Sequence, residues 1–323
     1  MKAVLLAGCW ILVAVGQMHG TEYHVTGASQ QASDANPGTK VAPFKTVGKA
    51  CAVVRAGDTV YLGGGVYRET LRPRESGEAG RPIRFEAVPG EKVVLTGADT
   101  LTGDWQQYKG NIYQLRTDRK FKQLFLSSRM MPEARWPNSP PGELMTYRRG
   151  AAGDGTGYEV LADPNLPPGD WNGGIVLLWP GSRWGSTTRR IADYQPGKSL
   201  RFDRTLEAKK KDEFHAADPY KPRAGNPYLL FGSLAGLDSP GEWFLEEDRG
   251  IVYFRPPDGK TPASGAVSVK QRDYACDVSG LKCIEIKGLD IVGAAVNMTD
   301  SQDCLLEDCR LRYVDHYREL DLS

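Results

Sequence analysis

The run AGDTVYLGGGVYRETL, residues 56–71, continued by PIRFEAVPGEKVVLTG, residues 82–97, decides the fold. Val60 and Leu62 alternate with polar or amphipathic neighbours, as do Ile83 with Phe85 and Val93 with Leu95, and Gly or Pro clusters punctuate each run. Short strands divided by turns, with no helical period between them, predict a parallel solenoid in which each turn of chain lays a strand on the previous one. The same signal returns near the other end. In KCIEIKGLDIVGA, residues 282–294, and DCLLEDCRLRYVD, residues 303–315, the positions Ile284, Ile286, Leu289 and Ile291 recur as Cys304, Leu306, Cys309 and Leu311. That constant offset is one rung of a right-handed β-helix, in which equivalent side chains stack at about 4.8 Å, the spacing of hydrogen-bonded strands.

The chain has 323 residues, 40% of them hydrophobic, and a formal net charge of +1. Such a balance supports a sizeable core and does not advertise a polyanion-binding surface, so nucleic acid is not expected as a partner. The 37 glycines and 21 prolines run through the whole chain and favour a turn-rich β protein over a disordered one. At the N-terminus Lys2 precedes an apolar run, residues 3–15, with the small residues Ala14 and Gly16 behind it. This reads as a secretory signal, residues 1–16, too short for a membrane span, and an exported or periplasmic protein follows. Leu5 to Cys9 also fits a lipoprotein box, but the apolar run continues past Cys9, which favours plain export. No membrane span is expected elsewhere. The remaining cysteines, Cys51, Cys276, Cys283, Cys304 and Cys309, are odd in number and lack CxxC spacing, so neither a metal nor another cofactor is expected. Cys304 and Cys309 fall on interior rung positions, where a thiol packs as a small apolar group.

Taken in order, Tyr23 to Val25 predicts a strand and DANPGT, residues 34–39, a turn. Val47, Ala50, Cys51 and Val54 then form one apolar stripe at helical spacing, with Thr46 as cap. A short helix over residues 46–55 would shield the open end of the coil. From Leu101 the pattern changes to long loops and alternating strands such as GGIVLLW and SLRFD. This predicts an antiparallel β unit, residues 103–262, inserted between the first rungs, residues 17–102, and the resumed rungs, residues 263–323.

DANPGT, APFKTVGKA (residues 42–50), and the run from Val54 to Gly97 resemble the N-terminal module of the pectate-lyase-like right-handed β-helix superfamily. KQLFLSSRMMPEARWPN, residues 122–138, and LLFGSLAGLDSPGEWFLEEDRGIVYFRPPDG, residues 229–259, resemble β-helix enzymes of the β-xylosidase kind, whose helix is interrupted by a sandwich. The resemblance implies an all-β fold: a right-handed parallel β-helix with an inserted antiparallel β-sandwich-like domain. It also implies a carbohydrate-active protein with a polysaccharide or oligosaccharide substrate. A glycoside hydrolase reading leads; a polysaccharide lyase, served by Arg310, Arg312 or Arg318, and a non-catalytic glycan-binding β-helix are the alternatives. Members of the superfamily carry more rungs than residues 263–323 supply, so the chain reads as an N-terminal fragment. The basic run Lys209 to Lys211 departs from the family pattern and reads as a solvated loop.

Glycoside hydrolysis needs two carboxyl groups flanking one bond, about 5–5.5 Å apart for retention and about 6.5–9.5 Å apart for inversion. The 20-residue rung sets Lys287 on Glu307, Asp290 on Arg310 and Ala295 on Asp315, so it aligns no carboxylate pair. The candidate catalytic groups are Asp315 and His316 at a strand end, for which a polar turn between coils is the plain alternative, and Asp300, which pairs with Asp321 only if the rung lengthens by one. Little turnover is therefore expected of residues 17–323 alone. Arg135, Trp136 and Asn138 in ARWPN are candidates for substrate contact, because an indole face packs on the apolar face of a pyranose while Arg and Asn bond its hydroxyls. The alternative is a loop that pins the inserted unit. The Gly-rich run of residues 150–157 lacks the Lys and Ser/Thr of a phosphate loop and reads as a plain loop.

Overall fold

A computed structural model describes residues 20–27, 29–140, 143, 148–206 and 218–315. The N-terminal stretch with Cys9 that is expected to be a secretory signal, the basic run 209–211, and His316, Arg318, Glu319 and Asp321 lie outside the described residues. The fold is all-β: parallel β-helix coils are interrupted in the sequence by antiparallel strands. Two compact units are present. One holds the described residues up to 95 with 276–290 and 296–310; the other holds 96–275, 291–295 and the described residues from 311.

In the first unit five strands form a parallel sheet in the order Glu22–Val25, Thr59–Leu62, Ile83–Ala87, Ile284–Lys287, Leu305–Glu307. Strands from either side of the long antiparallel segment are therefore direct neighbours. The register runs Tyr23, Val60, Phe85, Ile286, Leu306. Val60 and Phe85 are fully buried and Ile286 nearly so, because alternate residues of each strand point to the same side. The columns on the outer side carry the polar residues. There Arg84 reaches Glu285 at 2.7 Å across a sequence separation of 201, and Lys287 reaches Glu307 at 2.8 Å, 20 residues on. Gly63, Gly64 and Gly65 turn the chain into strand Gly65–Tyr67, which pairs in parallel with Val93 to Leu95. Gly77 is required by close approach: a Cβ there would lie 2.3 Å from the Cys283 carbonyl.

The helix spans Val47–Val53. Thr46 caps it by accepting from Lys49 N, and Val47, Ala50, Cys51 and Val54 form its buried stripe. Gly48 N donates to Glu69, which ties the first turn to the neighbouring loop. Burial pushes the Cys51 thiol up to about 12 and raises that of Cys276 as well.

Cys304, Leu306 and Cys309 are half-buried, although the 20-residue pattern assigns them to the interior, and Leu305 and Leu311 are exposed. The reason is positional. Among the described residues, strand Leu305–Glu307 is at the edge of its sheet, so its side chains have a packing layer on one side only, that of Ile284–Lys287.

The second unit is antiparallel. One seven-stranded sheet carries Arg135–Trp136, Pro227–Phe231, Ile175–Leu178, Thr187–Gln195, Ser199–Phe202 and Val160–Ala162 in that order, with Gly150–Ala151 also on Pro227–Phe231. Its core gathers Leu161, Trp171, Val176, Leu200, Tyr228 and Leu230. The buried Tyr228 hydroxyl donates to Asp163 at 2.6 Å, which leaves no orphaned polar group on either partner. A second sheet runs Trp243–Glu246, Ile251–Phe254, Ile112–Arg116, Gln106–Lys109, and a third Arg129–Met131, Leu124–Leu126, Val267–Lys270, Ala98–Thr100. Phe121, Leu124, Met131, Trp243, Val252 and Phe254 pack between them.

Candidate functional site

A pocket of about 520 Å³ opens in the second unit. One wall is the hairpin Leu124–Leu126 and Arg129–Met131, whose two connecting residues, Ser127 and Ser128, both adopt the left-handed conformation of a tight hairpin turn. The opposite wall is the turn of residues 238–242 with Pro257, and Ser139, Pro140 and Glu143 line the rim.

Trp243 fixes these walls together. Its N–H donates to Pro132 O, its own carbonyl accepts from Ala134 N, and its indole Nε1 donates to Met131 O at 3.0 Å. Glu242, the residue before it, is thereby held in the pocket wall with 2% of its surface exposed. Its carboxylate accepts from Ser239 N at 3.0 Å and Asp238 N at 3.3 Å. Burial, reinforced by the nearby Asp238 charge, pushes its pKa from 4.5 up to about 8. The Ser239 amide and the positive Arg135 oppose that shift only in part. Near neutral pH Glu242 is therefore mostly a neutral acid, able to donate a hydrogen bond or a proton.

The ARWPN segment splits between two faces. Arg135 and Trp136 pair with Phe231 and Leu230, and alternation sends their side chains to opposite sides of the sheet. Arg135 donates to Ser139 on the pocket rim, and Asn138 donates to Asp238 at 2.8 Å. Trp136 instead packs half-buried against the sandwich core, its ring 5.8 Å from that of Tyr228. The expected outcome of Trp136→Ala is accordingly a loss of about 2–4 kcal/mol of stability, checked by urea denaturation. A change in sugar affinity with stability intact would contradict this placement.

The three candidate catalytic residues are not assembled into one described site. Asp300 is exposed in the turn after Asn297, with φ of 54°, in the first unit. Asp315 belongs to the second unit, where it pairs with Lys270 Nζ at 2.9 Å. His316 lies outside the described residues. Within the coils, the strand register sets Glu285 beside Leu305 and Lys287 beside Glu307, so no carboxylate there faces a second one across that rung.

Glu242 escaped the reading of motifs. The available signal was local: an acid between a Pro-Gly turn and a Trp that opens a strand, in SPGEWF, is placed where burial is cheap for its neighbours and costly for itself.

Comparison with known proteins bears on these features. Residues 30–78 match a family described as a protein of unknown function (DUF1565). Over 78 residues the chain is 38% identical to the uncharacterized protein YwoF of Bacillus subtilis (strain 168), which covers 24% of this chain and 17% of that protein. A solved structure described as a glycoside hydrolase superposes with a TM-score of 0.62 at 20% identity, covering 84% of this chain and 50% of that one. The complex of XylC with xylose matches 86% of this chain and 36% of its own at 24% identity, with a TM-score of 0.43. The chain thus spans half the length of the glycoside hydrolase and 17% of the Bacillus protein. At such identity the superposition speaks to the fold alone.

Proposed function

We propose that the protein is an exported carbohydrate-active protein of the glycoside hydrolase kind, acting on plant or microbial polysaccharide or its oligosaccharides. The observation that carries this reading is the pocket lined by a buried, neutral Glu242 with the polar rim of Ser139 and Glu143. The superposition on a solved glycoside hydrolase supports it at the level of architecture.

The chemistry follows from the pocket. Cleaving a glycosidic bond requires a proton for the departing oxygen and a second carboxyl group that either attacks carbon or activates water. Glu242, protonated near neutral pH, has the state required of the proton donor. Glu143, exposed on the same rim, supplies the second carboxyl group of the pocket. Met130, Met131 and Pro240 offer apolar surface for the face of a sugar ring, and Ser139 and Ser239 offer hydroxyls.

The test uses the full chain. Calorimetric titration with cello- and xylo-oligosaccharides is expected to show binding that Glu242→Gln weakens. Assays on nitrophenyl glycosides and on uronate polymers then assign the reaction. Released nitrophenol that falls about 100-fold or more in Glu242→Gln supports the hydrolase reading. A new ultraviolet-absorbing unsaturated sugar means a lyase, and binding without either product means a glycan-binding module. Binding and turnover untouched by Glu242→Gln would remove the pocket from the proposal.

A further inference from the structure

The corner of the second unit formed by residues 148–152, 179–184 and 218–227 displays aromatic side chains that the pocket does not use. Trp184 is 63% exposed, the largest apolar side chain among the described residues to be presented so openly. Its ring meets that of Tyr220 edge-on at 6.0 Å. The exposed Arg149 guanidinium lies 4.4 Å over the ring of Trp179 in the same corner.

The loop that carries Trp184 is braced from several sides. Asn226, 1% exposed, accepts from Gly181 N and Arg223 N and donates to Gly181 O, so its amide clamps both strands of the corner. Ser182 N donates to Pro219 O at 2.7 Å, and a Cβ at Gly181 would lie 1.8 Å from that same oxygen, so only glycine admits this approach. Arg183 adopts a left-handed φ of 64° and is held by its N–H on Pro180 O and its Nη2 on Gly225 O. On the other side, Tyr220 N donates to Asp218, whose second oxygen accepts from Tyr158. Left-handed backbone and buried polar bonds are thus concentrated in the loop that carries an indole 63% exposed to solvent. A large apolar ring gains nothing from solvent, and a rigid mount lowers the entropy lost when a partner settles on it.

We propose that Trp184, flanked by Tyr220 and with its chain neighbour Arg183 as a hydrogen-bond donor, is a platform for a sugar ring of a glycan chain. This site is separate from the Glu242 pocket. The chemistry selects the ligand: an indole face takes the apolar C–H face of a pyranose, and the exposed Arg183 next to it in the chain can donate to ring hydroxyls or to a uronate carboxylate. The inference rests on the carbohydrate reading but not on the pocket.

The experiment is a titration of the full chain with cello-, xylo- and galacturono-oligosaccharides, read by tryptophan fluorescence and calorimetry, for the unaltered protein, Trp184→Ala, Trp184→Phe and Glu242→Gln. Because Trp184 is exposed, its variants should keep the far-ultraviolet circular dichroism of the parent. The expected result is a fluorescence change that disappears in Trp184→Ala, with affinity about tenfold weaker, and that persists in Glu242→Gln. Trp184→Phe should recover part of the affinity. Sugar binding that survives Trp184→Ala and is lost in Glu242→Gln would support the pocket and overturn the platform. The absence of any fluorescence response across the three sugar series would overturn the platform as well.

Discussion

Glu242→Gln is expected to flatten the dependence of stability on pH between about pH 4.5 and 8, and to make the protein more stable than its parent at pH 8.5. The sign follows from linkage. A carboxyl group whose pKa rises from 4.5 in the unfolded chain to about 8 in the fold binds its proton more tightly when folded. Below pH 4.5 both states are protonated and the group imposes no penalty. Above that the unfolded chain ionises first, so stability falls by up to about 1.4 kcal/mol per pH unit, until the folded group ionises too near pH 8. The accumulated difference is on the order of 5 kcal/mol. Gln keeps an oxygen to accept from the Ser239 and Asp238 amides and carries no charge to desolvate. Urea denaturation of both proteins at half-unit steps from pH 4.5 to 9 is the measurement. Parallel curves for parent and variant would show that Glu242 is not the buried acid described. The cost itself has meaning: a buried acid in a pocket wall whose pKa is pushed up by desolvation is a candidate functional group.

Phe85→Ala is expected to destabilise the coil unit by about 3–5 kcal/mol. Phe85 is fully buried in the column between Val60 and Ile286, with parallel strands on both sides. Truncation would leave a void lined by strands whose hydrogen-bond register prevents them from closing over it. The same substitution at Phe244, a half-buried residue of the second unit, should cost distinctly less. Urea unfolding followed by far-ultraviolet circular dichroism checks the pair. A loss at Phe85 below about 1 kcal/mol would mean that the interior of the coils is not the packed column seen here.

Much of this architecture was legible in the residues. The alternation of Val60 with Leu62 and of Ile83 with Phe85 became buried columns of one parallel sheet, and the recurrence of Ile286 as Leu306 became its register. The helix with its Thr46 cap followed its apolar stripe. These features are local or strictly periodic, and a repeat carries its own register. Even so, interior position did not guarantee burial for Cys304, Leu306 and Cys309. Burial needs a layer on each side, and the described strand Leu305–Glu307 has one.

The sequence by itself determined the all-β coil, its 20-residue rung, the change of pattern after Leu101, and the absence of an aligned carboxylate pair across that rung. Only the tertiary structure decided which face of the second unit is chemically distinctive. Arg135 and Trp136 are adjacent in the chain, yet sheet alternation sent one towards the pocket rim and the other into the core beside Tyr228. Glu242 acquired its raised pKa through burial in a turn that the next residue, Trp243, ties to Met131 O. Desolvation of a carboxyl group depends on what surrounds it in space, and here the neighbouring Trp243 is anchored to a residue more than 100 positions away in the chain.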